Sequence, residues 1–89
     1  MMEVKVSLCA NDSQYIDVDI YVREEDKSEW RFMVSKDKRT NEVVYGDYCF
    51  AEGEHEGFEE TDKEPSVLVW ACVIKAMPKV LEIISNEEE

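Results

Sequence analysis

The chain has a single histidine, His55, among its 89 residues. A histidine-based catalytic triad or a multi-histidine metal site within one chain is thereby excluded. Its three cysteines, Cys9, Cys49 and Cys72, cannot all pair with one another, and they lack the close Cys–Cys spacing of a zinc site. Their wide spacing predicts reduced thiols in a cytosol, and each is flanked by apolar residues, as suits a small packing group. No glycine-rich loop is present to cradle a phosphate. The longest apolar run, Val67 to Ile74, falls far short of a membrane span. Val4 to Ala10 is too short for the apolar stretch of a secretory signal and is interrupted by Lys5 and Ser7, so a cytoplasmic location is expected.

Basic residues are also scarce. Ten Lys and Arg stand against 22 Asp and Glu, for a formal net charge of −12. Such a field repels nucleic acid and anionic membranes and favours basic protein surfaces. The imbalance is uneven: residues 1–51 carry 11 acidic and 7 basic side chains, whereas residues 52–89 carry 11 and 3. An apolar content of 44% is that of a folded protein, and this length makes one domain.

The first half alternates with period two. Val4, Val6 and Leu8 share one parity. Ile16, Val18, Ile20 and Val22 form the clearest run, with Asp17, Asp19, Tyr21 and Arg23 between them, and Trp30, Phe32 and Val34 repeat the pattern. β-Branched and aromatic residues in that period predict half-buried strands. Asn11 to Ser13, Glu24 to Ser28 and Lys36 to Asn41 supply the turns. Val43 to Ala51 reads as a fourth strand with a bulge or bend at Gly46 and Asp47. Short links between consecutive strands favour an antiparallel meander. The even-numbered side chains from Ile16 to Val22 should face the core.

Residues 52–64 have no apolar period and read as an exposed acidic loop, pinned to the body by Phe58. A helix is expected from about Glu64 to Ser85, capped by Thr61 or Asp62 and kinked or split at Pro78. Its core stripe reads as Val67, Trp70, Ala71, Ile74, Met77, Leu81 and Ile84. The polar stripe is narrow: Lys75, Lys79, Glu82 and Asn86. A helix apolar over most of its circumference is usually covered on more than one side. A homodimer seam is therefore expected at Val69, Cys72, Val73, Ala76, Val80 and Ile83. Residues 86–89 form an acidic tail. The whole is an α+β domain: an antiparallel sheet of about four strands packed on one C-terminal helix.

Sites for chemistry are thin. Glu52, Glu54 and Glu56 alternate ahead of Gly57 as in a calcium loop, but the twelfth position is Lys63 rather than a bidentate Glu, and a solvated loop is the better reading. Asp17 and Asp19 share a strand face at a spacing that could chelate Mg²⁺, yet nothing completes such a site, and a solvent-facing position is expected for both. No cofactor or metal is expected, and no enzymatic activity. In size and charge the chain resembles phage-encoded anti-defence inhibitors, including DNA mimics that block restriction or CRISPR complexes. That resemblance implies a non-enzymatic inhibitor acting in a host cytoplasm on a basic, nucleic-acid-handling partner. The expected contacts are Glu52, Glu54, Glu56, Glu59, Glu60 and Asp62, aided by Asp17, Asp19, Glu24, Glu25 and Asp26. The alternative is a homodimeric structural or regulatory module whose acidity serves solubility.

Overall fold

The computed structural model describes residues 2–52 and 57–88, the side chains of Asp47 and Glu60 excepted. Four nine-residue strands come first: β1 (Glu3–Asn11), β2 (Tyr15–Arg23), β3 (Glu29–Asp37) and β4 (Val43–Ala51). A two-residue strand, β5 (Glu59–Glu60), and a 21-residue helix, α1 (Val67–Glu87), follow. The sheet is an antiparallel meander in the order β1-β2-β3-β4-β5. The fold class is α+β, as the alternation and the long apolar period predict.

The turns close with local chemistry. Asp12 Oδ1 accepts from the backbone N–H groups of Gln14 and Tyr15, both at 2.8 Å, and so closes the β1–β2 link. In the β2–β3 link Lys27 adopts φ 73°, a left-handed conformation that costs a side chain with a Cβ about 1–2 kcal/mol. Asn41 sits at φ 64° in the β3–β4 link, where its residue type is better tolerated. The expected irregularity in β4 is present: the β3–β4 register shifts between Phe32 and Val34, opposite Tyr48 and Tyr45. A Cβ at Gly46 would meet the Met33 Cβ at 3.3 Å, so glycine allows the bulged strand to lie close.

The core follows the predicted parity. Ile16, Val18, Ile20 and Val22 are fully buried, with Trp30, Phe32 and Val34 beside them on β3. The helix lies over β1, β2 and β3 and leaves β4 beside its flank. At 25 cal/mol per Å², each of these buried aliphatic side chains contributes roughly 1.5–3 kcal/mol.

The helix differs from expectation in three ways. It begins later: Ser66, not Thr61 or Asp62, is the N-cap, and its Oγ accepts from Val69 N at 3.3 Å. Pro65 is buried just before the cap, and Glu64 lies outside the helix. Next, α1 runs through Pro78 without a break. Pro78 and Ile74 are both exposed, so water can reach the Ile74 carbonyl that lacks its usual partner. Last, the helix is rotated relative to the predicted stripe. Val69, Val73, Ala76, Val80 and Ile84 are buried against the sheet, whereas Val67, Ile74 and Leu81 are exposed. Val69, Val73, Ala76 and Val80 are therefore core residues and cannot form a dimer seam. Cys72 and Ile83 are half-buried at the edge of that core. The buried set is mostly Val and Ala, small enough for the helix to lie close to the Ile and Val side chains of β2, where Trp70 would hold it off.

Candidate interaction surfaces

The strand register gathers charge at one end of the sheet. Glu3, Arg23, Glu29 and Ala51 form one row across β1 to β4. Arg23 bridges that row, with Nε 3.0 Å from Glu29 and Nη1 3.9 Å from Glu3. The β2–β3 turn and Glu52 project from the same end, where Lys63 Nζ lies 3.1 Å from Glu52 Oε1 and 4.8 Å from the Phe50 ring centre. Carboxylates outnumber cations there, and α1 starts at the same end.

The turn acids also hold the fold. Glu24 Oε2 accepts from Trp30 Nε1 at 3.1 Å and lies the same distance from Ser28 Oγ. Asp26 accepts from the Ser28 hydroxyl and backbone N–H, which hold its carboxyl below the ordinary aspartate range. Between this turn and the first turns of α1 lies a cleft of about 660 Å³. Met2, Leu68, Ala71 and Cys72 make its apolar lining, Glu24, Glu25 and Asp26 its acidic side, and Lys75 completes it.

The sheet face opposite the helix holds a second arrangement. Asp19 is only 3% exposed, which corrects the expectation that it faces solvent. Its Oδ2 pairs with Arg31 Nη2 at 3.1 Å and accepts from Tyr21 Oη at 3.2 Å. Phe58 reaches over this face to Tyr21, with ring centres 5.9 Å apart, so it does tie the acidic segment to the body. Asp17 is half-buried and accepts from Ser35 Oγ at 2.5 Å across β2–β3. Asp19 is thus buried within the sheet face rather than presented to a partner, whereas Asp17 is half-exposed. Arg31 Nη2 also lies 3.9 Å from Cys9 Sγ. Although Cys9 is an exposed residue, desolvation of its sulfur and then the Asp19 charge push its thiol above the ordinary value. That is the reverse of an activated nucleophile. The same two causes raise the Tyr21 phenol.

The remaining acidic contacts divide as follows. Glu52, Glu59, Asp62, Glu25 and Asp26 are exposed, and Glu24 is half-buried. Glu60 contributes its backbone to β5 opposite Cys49. Glu54 and Glu56 lie outside the described residues, as does His55. Among the described residues no group of three or more His, Cys, Asp or Glu side chains could hold a metal ion. No helix among the described residues is long and apolar enough to cross a membrane. Glu3, exposed at the acidic end, was not singled out by sequence patterning, because an acidic residue at a strand start carries no period of its own.

A third surface is apolar. Val67, Trp70, Ile74 and Leu81 follow one flank of α1, on the side of β4, where Trp70 packs on Phe32 at 5.1 Å and edge-on to Tyr48 at 6.0 Å. Val43 and Tyr45 are exposed on β4 beside it. Comparison with known protein families, with curated proteins and with solved structures finds no match.

Proposed function

We propose that this protein is a non-catalytic binding protein that engages a basic surface of a nucleic-acid-handling partner, in the manner of the anti-defence inhibitors it resembles in size and charge. The observation that carries this reading is the cleft between the β2–β3 turn and the start of α1. An apolar lining beside carboxylates suits a Lys or Arg side chain, whose methylenes pack while its charged head meets the acids. Glu3, Glu52, Glu59 and Asp62 extend the field beyond the cleft and would steer a basic partner before contact. Glu24 and Asp26 accept hydrogen bonds from Trp30 and Ser28 at the turn, so the acidic wall is held in place before binding.

The test is capture of a partner from a lysate at low salt, followed by identification of what is retained. One basic nucleic-acid enzyme, retained at low salt and released as salt rises, is the expected result. Replacing Glu52, Glu54, Glu56, Glu59 and Glu60 with Gln should weaken that retention while circular dichroism stays unchanged. Retention that is indifferent to both salt and these replacements would remove the acidic surface from the function.

A further inference from the structure

We infer that the apolar flank of α1 is the seam of a two-fold, antiparallel homodimer centred on Ile74. This inference is independent of the acidic-surface reading. Val67, Ile74 and Leu81 are spaced by seven residues and stand 83%, 68% and 49% exposed. Residues seven apart drift by only about 20° around a helix, so the three lie along one line about 21 Å long. That line is symmetric about Ile74. A two-fold axis there sets Ile74 against Ile74 of a second copy, and each Val67 against the other copy's Leu81. An isologous contact requires such self-complementarity, and a foreign partner would not.

The area agrees. The exposed parts of Val67, Trp70, Ile74 and Leu81, with Val43 and Tyr45 on β4, amount to on the order of 600 Å² per copy, or about 1,200 Å² in the pair. That is the lower bound for specific interfaces, reached when all of these exposed parts are covered. The charges agree as well. Lys75, Lys79 and Glu82 lie on the other flank of α1, so the seam buries none of them. An antiparallel arrangement keeps the two ends that carry the β2–β3 turns and Glu52 apart, which limits their mutual repulsion. The helix ends pair head to tail, which also favours this orientation.

Sedimentation equilibrium of the full chain at micromolar concentrations and moderate salt tests the inference. The expected mass is about twice the 10.4 kDa of one chain. Ile74→Asp should weaken association at least about a hundredfold. Leu68→Asp, at an equally exposed position on the opposite flank, should leave it unchanged. Circular dichroism confirms that each variant is folded, and Leu81→Lys serves as a second seam variant should Ile74→Asp misfold. In a chain with its native cysteines replaced by Ser, Ile74→Cys should cross-link to itself, and Val67→Cys should not. A single-chain mass at every concentration would overturn the inference. So would dissociation by Leu68→Asp, or efficient cross-linking through Val67→Cys alone.

Discussion

Asp19 and Arg31 pair at 3.1 Å on the sheet face that α1 does not cover, and Asp19 is nevertheless buried. Asp19 Oδ1 and Arg31 Nε have no hydrogen-bond partner among the described residues. The pair is thus held by one contact and by Tyr21, and it is sensitive to loss of either member. Asp19→Ala leaves a guanidinium short of its counter-charge and should destabilise the chain by about 2–4 kcal/mol in urea unfolding. Asp19→Ala with Arg31→Met should cost less than Asp19→Ala alone, since no unpaired charge then remains.

Val73 and Ile74 are adjacent in sequence and opposite in consequence. Val73 is 2% exposed in the core, so Val73→Asp should cost about 4 kcal/mol or more and unfold much of the protein. Ile74→Asp should retain the native far-ultraviolet circular dichroism and thermal midpoint at low protein concentration, where single chains predominate. Thermal unfolding of the two variants side by side separates a core role from a surface role.

Ser66 caps α1 through its hydroxyl. Ser66→Ala should lower stability by about 1 kcal/mol, and Ser66→Asp should restore it, aided by the positive helix end. Thr61→Ala, at a position where the sequence also allows a cap, should have a smaller effect because Thr61 Oγ1 accepts from Lys63 N in the loop that precedes the helix. Chemical denaturation resolves the difference.

Stability should fall at both ends of the pH scale, for separate reasons. Hydrogen bonds from turn N–H groups lower the Asp12 and Asp37 carboxyls, and those from Ser28 lower Asp26, from an ordinary value of 3.8. Their contribution is present above that value and is lost as pH drops through the lower folded values. At the alkaline end, partial burial and then the Asp19 charge raise the Cys9 thiol and the Tyr21 phenol above 9.0 and 10.0. The unfolded chain loses those protons first, so stability declines once pH passes about 9. Cys9→Ser should delay the alkaline decline without moving the acid one, as read from thermal midpoints across pH.

The phase of α1 was the part of the fold least legible in the sequence. Two sets of apolar residues, one through Val67, Trp70 and Ile74 and one through Val69, Val73 and Val80, both repeat with helical period. Hydrophobicity favours the larger residues. Packing favours the set with less total bulk, because Val69, Val73, Ala76 and Val80 can lie close to the Ile and Val side chains of β2, where Trp70 would hold the helix off. The excess of apolar surface, by contrast, was legible, and rotation of the helix changes which residues carry it rather than whether it exists.

The sequence alone determined the strand number of the main sheet, the meander and the inward face of β2, because alternation of Ile16, Val18, Ile20 and Val22 with polar residues leaves one register that buries them. It also determined the acidity and the breadth of the helix's apolar surface. Tertiary structure decided what those features face. Asp19 is buried because Arg31 on β3 and Cys9 on β1 converge on it beside Tyr21 of its own strand, and the convergence of the first two depends on cross-strand register rather than on local pattern. The cleft likewise exists only because the β2–β3 turn and the start of α1 meet, although some 40 residues separate them in the chain.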